Sequence, residues 1–117
     1  MQYNKKVKTY MIIQQKYGGQ DMEIGYEEKI DDLAIILTDD YEYNTSIEIE
    51  PGYIIDLDKT NKLVAIEILD CSKRIKESKT YVKNAKIEVF IEVYEYSYKI
   101  IISFNDGEHE ITKRVLK

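Results

Sequence analysis

The sequence predicts a mainly β protein of the α+β class, a small antiparallel β-meander of about 7 to 8 strands with one short helix after residue 71. Three observations predict this class. Residues that favour extended backbone are abundant, including 11 Tyr among 117 residues, whereas Pro51 is the only proline. Apolar and polar residues alternate with period two in several segments. Gly, Asn and Asp pairs punctuate those segments as hairpin turns do. The pattern leaves open one sheet, two sheets or a barrel-like closure.

The first two strands are predicted to form a hairpin. Lys8–Gln15 reads as a strand, and Met22–Tyr26 reads as its returning partner. Between them lies Tyr17–Gln20, whose Gly18 and Gly19 supply the positive φ values of a tight turn.

The middle of the chain contains two further apolar segments. Leu33–Leu37 is an unbroken apolar run, which suits a strand covered on both faces. Ile47–Leu57 alternates like a strand, but Pro51 and Gly52 interrupt it, so a bulge or an edge position is expected there.

A strand and a helix follow at residues 64 to 77. The segment "VAIEILDCS" alternates from Val64 to Ile68 and predicts a strand. Ser72 is then positioned to cap a short helix over roughly Ser72–Glu77.

The C-terminal third has the clearest alternation. Ile87–Tyr94 and Tyr98–Phe104 both alternate with period two and predict paired strands. Asn105–Gly107 then predicts an Asp-Gly hairpin turn that leads into a last strand near His109–Val115.

A family resemblance covers residues 24 to 75. The chain reads "IGYEEKIDDLAIIL" at 24 to 37 and "IEIEPGYIIDLDKTNKLVAIEILDCSKRI" at 47 to 75. This order of strand, Asp-rich turn, "IEIL", Asp and Ser-Lys-Arg resembles the small prokaryotic family named domain of unknown function 2283. The chain departs from the family pattern at Asn61, Ala65 and Cys71. Asn tolerates the left-handed conformation of a turn glycine, so Asn61 preserves the turn.

The resemblance implies a small β-meander that ends in a short helix, and it implies no enzymatic activity. Because family members are encoded beside small toxin-like proteins, it also implies an antitoxin-like or other partner-binding role. Residues 1 to 20 and 81 to 117 lie outside it and are predicted to be added strands of the same single domain, 1 to 117.

The charge of the chain is segregated along the sequence. The net charge of −5 disfavours a nucleic-acid binder, because phosphate neutralisation supplies most of that affinity. Residues 20 to 70 carry −12, and residues 71 to 86 carry +5. This pattern either marks complementary surfaces or cancels when strands from the two segments interleave. We expect it to cancel.

Cysteine content and hydropathy indicate a cytoplasmic protein. Cys71 is the single cysteine, so no disulfide forms within the chain. No segment reads as a secretory signal or as a membrane span. No cofactor motif is present either, and no cofactor is expected.

Asp56, Asp58 and Glu67 are weak candidates for a metal site. Together with Thr60 they fall on the ligand positions of a calcium-loop template. That loop lies between helices, however, whereas both flanks here read as strands. A solvated hairpin turn is therefore the favoured interpretation of Asp56 and Asp58.

Two interpretations of Glu67 remain open. It sits between Ile66 and Ile68, so it either faces water, where it can pair with a cross-strand lysine, or is half-buried as a general base. No second catalytic residue stands at a defined spacing from it, which favours the first. His109 is the only histidine, which excludes histidine-based catalytic triads and His-rich metal sites.

Tyr94, Tyr96 and Tyr98 are candidate interface residues. They recur at period two, so they form a stripe on one face if their strand is continuous, or they cluster at a hairpin tip if the chain turns there. Tyr is enriched in interface hot spots.

These observations predict a non-enzymatic domain that binds another protein or itself. One alternative is an antitoxin-like partner of a basic small protein. A further alternative is a small ligand- or metal-binding domain that uses the acidic turns.

Overall fold

The computed structural model describes residues 6–14, 23–38, 42–94 and 98–116. These residues form two antiparallel sheets, which confirms the predicted mainly β class. Two short helices, α1 (Cys71–Arg74) and α2 (Lys79–Asn84), follow the sixth strand. The strands are β1 (Lys6–Gln14), β2 (Glu23–Glu27), β3 (Asp32–Ile36), β4 (Tyr43–Glu50), β5 (Tyr53–Asp58), β6 (Leu63–Ile68), β7 (Lys86–Tyr94), β8 (Tyr98–Asn105) and β9 (Glu110–Leu116).

The family-like segment and the added ends form separate sheets. The segment supplies a five-stranded sheet in the order β2-β3-β6-β5-β4. The two ends supply a four-stranded sheet in the order β1-β7-β8-β9. The ends therefore neither extend the family-like sheet nor close it, and the described strands form no barrel.

One hydrophobic core lies between the two sheets. Leu33, Ile55 and Ile66 enter it from the five-stranded sheet, and Ile100 and Phe104 enter it from the four-stranded sheet. All five side chains are at most 2% exposed. Alternation along β3, β5 and β8 places every second residue in this core, because successive side chains point to opposite faces of a sheet.

The predicted hairpin between the first two strands is wrong. β1 pairs with β7 in the four-stranded sheet, whereas β2 pairs with β3 in the other. The predicted turn at Tyr17–Gln20 lies outside the described residues. Turn-forming residues indicate that a chain can reverse, but they do not choose which strand it pairs with.

Two details of the middle region also differ from the sequence prediction. β3 is covered on one face only, since Ala34 and Ile36 remain half-buried on the other. Pro51 and Gly52 form a turn between two strands, β4 and β5, and a pairing irregularity lies just before it at Glu48–Glu50. The expected edge position is confirmed, because β4 ends the five-stranded sheet.

The helical region differs from the single capped helix that was predicted. Ser72 lies inside α1, and Asp70, with a φ of 51°, precedes the helix instead. Ser78 caps α2 by accepting a hydrogen bond from the Tyr81 backbone N–H at 3.0 Å. Neither helix within the described ranges is long and apolar enough to cross a membrane.

Candidate functional site

The two sheets carry opposite charge. The strands of the five-stranded sheet contain eight acidic residues and no Lys or Arg. The strands of the four-stranded sheet contain six basic and three acidic residues. The expectation that interleaved strands would cancel the charge is therefore wrong. Cancellation fails because the acidic segment supplies every strand of its own sheet.

Seven of the eight carboxylates project from the side of the sheet that faces away from the core. The eighth, Glu50, turns towards the other sheet and pairs with Lys113 at 3.7 Å. None of the seven forms an ion pair with another described residue. We call this surface the acidic face, and its carboxylates are Glu23, Glu27, Asp32, Glu48, Asp56, Asp58 and Glu67.

The centre of the acidic face is apolar, and its side chains are small or partly buried. Ala34 of β3 and Ile54 of β5 lie directly opposite Glu67 on either side of it. Ala65 lies between Ile36 and Asp56 in the next row of the sheet. Small and partly buried side chains thus occupy the middle of the sheet, while the carboxylates stand around them.

Glu67 and Asp32 form a carboxyl pair on neighbouring strands of this face. The hydrogen bond with Asp32, burial, and the negative charges of Asp32 and Asp56 raise the pKa of Glu67 to about 7. Glu67 is half-buried, and its cross-strand neighbours are Ala34 and Ile54, so the lysine pairing that the first interpretation allowed does not occur across these strands. A carboxyl group with a pKa near 7 can donate or accept a proton, but catalysis also requires a substrate held against it, and this face is an open sheet.

Asp56 belongs to a chain of hydrogen bonds that crosses from β5 to β4. Its Oδ1 accepts from the Ser46 hydroxyl at 2.6 Å, and Ser46 Oγ lies 2.8 Å from the Tyr43 hydroxyl. Tyr43 is 54% exposed. An aromatic ring therefore stands in solvent at the β4 edge of the acidic face.

Asp58 is engaged in the turn between β5 and β6. Its Oδ1 accepts from the backbone N–H groups of Thr60 (2.8 Å) and Lys62 (2.9 Å) and from the Thr60 hydroxyl (2.7 Å). Asn61 follows with a φ of 65° in the glycine-like position that the sequence indicated. Among the described residues, no group of three or more His, Cys, Asp or Glu side chains is arranged to hold a metal ion.

Asp31 is an important residue of this region that the sequence interpretation missed. It is 3% exposed, and its carboxylate accepts hydrogen bonds from the Tyr26 hydroxyl and from the backbone and side chain of Ser72. The Cys71 backbone N–H donates to the Asp31 carbonyl at 2.9 Å. Asp31 thereby fixes the start of α1 to the turn between β2 and β3, which is a structural role.

The candidate interface tyrosines flank the connection between β7 and β8. Tyr94 ends β7 and Tyr98 begins β8, and the register pairs Val93 with Tyr98. β7 and β8 are therefore antiparallel neighbours and not one continuous strand, which removes the condition for a stripe. Tyr96 and the side chains of Tyr94 and Tyr98 lie outside the described part of the structure.

Comparison with known proteins identifies the central region of the chain. No curated protein and no solved structure matches the chain. The sequence profile of a family described as "Protein of unknown function (DUF2283)" matches residues 23–72. This match spans all five strands of the acidic sheet and the start of α1. The predicted resemblance is thus confirmed over residues 24–72, where the chain is similar to that family of unknown function.

Proposed function

We propose that this protein is a non-enzymatic binding domain that holds a basic protein against its acidic face. One observation carries the proposal: the outward side of the five-stranded sheet gathers seven carboxylates, and its strands contain no Lys or Arg. Such a surface attracts Lys- and Arg-bearing partners and repels acidic ones. Complementary charge of this kind increases association rates and specificity.

The apolar centre of the acidic face supports protein recognition over simple counterion binding. Ala34, Ile36 and Ile54 are only partly buried there, so a partner side chain can cover them. Interfaces typically join an apolar centre to a polar rim. An antitoxin-like partnership with a basic small protein is the specific form of this proposal, and the charge of the acidic face supports it.

Self-association is the second candidate function, and the outer strands favour it. β1 lies at one end of its sheet and pairs with β7 alone among the described strands. β2 is less suitable, because a two-fold antiparallel pairing centred on Gly25 would place Glu23 against Glu27. We therefore propose that a homodimer would form through the β1 edge, with Tyr94, Tyr96 and Tyr98 as the other candidate interface. A light-scattering mass of one chain at tens of micromolar would exclude it.

Two further proposals concern the location of the protein and cation binding. We propose a cytoplasmic location, which the single unpaired Cys71 supports. Cation binding at Asp56 and Asp58 is the weakest alternative function, since internal hydrogen bonds already engage both carboxylates. A calorimetric titration with Ca²⁺ tests this alternative. Tight binding of Ca²⁺ would favour a cation site over a solvated turn.

The main proposal is tested with an oligoarginine peptide as a defined basic probe. The test variant replaces three exposed carboxylates of the acidic face, Glu23→Gln, Glu27→Gln and Glu48→Gln. The control variant removes the same charge from exposed sites elsewhere, Glu88→Gln, Glu108→Gln and Glu110→Gln.

The acidic-face variant is expected to bind the peptide about tenfold more weakly than the wild type at low salt, since exposed ion pairs contribute a few tenths of a kcal/mol each. The control is expected to lose much less, and added salt should weaken all three proteins. Equal losses in the two variants would contradict the proposal, because total charge alone would then explain binding. Affinity capture with the same three proteins would identify the natural partner as one retained by the wild type and the control only.

A further inference from the structure

We infer that Asp32 and Glu67 hold one proton in common at neutral pH, and that a cationic side chain of the partner replaces this proton when it binds. Binding at the acidic face then releases a proton and strengthens as the pH rises. This inference rests on the proposed function and concerns the regulation of the same surface.

The position of the two carboxyl groups is the first support. Asp32 and Glu67 occupy adjacent strands, with Glu67 directly opposite Ala34 and Asp32 two residues further along β3. This diagonal relationship on one face of a sheet lies within reach of long side chains. The register therefore brings the two carboxyl groups near each other, and a hydrogen bond between them requires a proton on one of them.

The second support is a buried oxygen atom without a donor. Asp32 Oδ1 is buried and receives no hydrogen bond from any described protein group. Buried polar atoms are nearly always satisfied, and a buried anion without a donor is costly. Two ionised carboxylates have no hydrogen to offer each other, whereas a protonated Glu67 can donate one to Asp32.

The described strands around the pair supply no positive charge. The groups that face the pair are Glu27 from β2, Glu48 from β4 and Asp56 from β5, and the five strands carry no Lys or Arg. Lys or Arg commonly neutralises a carboxylate that is buried beside others. No described strand of this sheet supplies such a cation, so we infer that a proton takes its place in the free protein, which agrees with the raised pKa of Glu67.

A partner supplies the missing cation. An arginine or lysine that enters between the two carboxyl groups takes over the hydrogen bonds and the charge of the proton, and the proton passes to solvent. The partner binds the deprotonated pair better, so the measured affinity increases in proportion to the fraction of protein that is deprotonated. For a group that titrates near pH 7, the affinity should rise about tenfold between about pH 6 and about pH 8.

The first measurement uses the free protein and needs no ligand. Carboxyl carbon shifts of glutamate-labelled protein are followed through a pH titration by NMR. Glu67 is expected to titrate near pH 7. A Glu67 carboxyl that titrates near its ordinary value would overturn the shared proton.

The second measurement is the binding of an oligoarginine peptide between about pH 6 and about pH 8, since arginine stays charged throughout this range. Glu67→Gln is the test variant, because its amide can still donate to Asp32 but cannot lose a proton. It should remove the pH dependence, whereas Glu88→Gln on the other sheet should retain it. Calorimetry in buffers of different ionisation enthalpy should show proton release by the wild type and by Glu88→Gln, but not by Glu67→Gln.

The outcomes separate the inference from the proposed function. Binding by the wild type and Glu67→Gln with the same pH dependence would overturn the inference alone. Failure of the peptide to bind at every pH would overturn the proposed function and, with it, the displacement of the proton.

Discussion

Asp31 and Ser72 are 41 positions apart in the chain, and two hydrogen bonds join them. The Ser72 backbone N–H donates to Asp31 Oδ1 at 3.0 Å, and the Ser72 hydroxyl donates to Oδ2 at 2.7 Å. Asp31 adopts a left-handed φ of 57° in the turn before β3. This contact joins the turn between β2 and β3 to the start of α1, and it fixes α1 at the end of the acidic sheet.

Replacing Asp31 with Asn should destabilise the protein by about 2 to 3 kcal/mol, because charge-assisted hydrogen bonds to a buried carboxylate become weaker or mismatched. Urea unfolding measures this loss. Asp106→Asn is the matched control, since Asp106 also accepts backbone hydrogen bonds but lies in an exposed turn. A loss at Asp31 no larger than at Asp106 would contradict the structural role.

The same carboxylate should make stability depend on pH under acidic conditions. Burial opposes ionisation of Asp31, but the hydrogen bonds from Tyr26 and Ser72 outweigh it and hold the pKa below the ordinary 3.8. Because the folded pKa is lower than the unfolded one, this stabilisation is present above about pH 4 and is lost as the pH falls through the folded value. Thermal unfolding between about pH 5 and about pH 2 should therefore show a steeper loss for the wild type than for Asp31→Asn.

A side chain at Gly52 should be costly, because it would displace the guanidinium of Arg74. The φ of Gly52 is 83°, and a Cβ would overlap the guanidinium of Arg74, whose Nε donates to the Leu69 carbonyl at 2.6 Å. Gly107 is the matched control, because its φ is 98° but open space surrounds it. Gly107→Ala should cost about 1 kcal/mol of backbone strain, and Gly52→Ala should cost about 3 kcal/mol or more. Similar losses in the two variants would show that Arg74 does not confine Gly52.

Two buried tyrosines should respond oppositely to replacement by Phe. The Tyr53 hydroxyl is buried and forms no hydrogen bond with a described residue, so Tyr53→Phe should leave stability unchanged or raise it by up to about 1 kcal/mol. The Tyr81 hydroxyl donates to the carbonyls of Phe104 (3.0 Å) and His109 (2.6 Å). Tyr81→Phe should therefore cost about 1 to 2 kcal/mol. Chemical denaturation of both variants measures the two changes in stability. A larger loss of stability in Tyr53→Phe than in Tyr81→Phe would contradict this prediction.

Local alternation was sufficient to predict most of the strands. Ile87–Tyr94 and Tyr98–Phe104 lie in β7 and β8 almost as predicted, since period-two burial is encoded within each segment. The turn at Asn105–Gly107 was also predictable, because the Asn105 side chain accepts the Gly107 N–H within the turn itself. These features depend on neighbours in sequence.

Features that depend on distant segments were not predictable in this way. The pairing of β1 with β7 joins positions more than seventy residues apart, and no local signal at Gly18 or Gly19 favours it over a hairpin. Ser72 resembled a helix cap, but its hydroxyl is used by Asp31. The carboxyl pair could be predicted only from the register of β3 against β6. That register places Ala34 opposite Glu67 and Asp32 diagonal to it.

The charge distribution shows the same limit. The acidic segment was visible in the sequence, but its effect depended on whether basic strands would be inserted into its sheet. The basic strands form a sheet of their own, because β1 pairs with β7 and so belongs to the sheet of β7, β8 and β9. The acidic face follows from that topology.

The most direct test of the acidic face is a map of backbone amide shifts in isotope-labelled protein as an oligoarginine peptide is added. Binding at this surface predicts the largest changes at Ala34, Asp56 and Glu67, and little change at Glu88 and Ile101 on the outer side of the four-stranded sheet. Changes concentrated on the four-stranded sheet, with none at Glu67, would contradict the assignment of the binding surface.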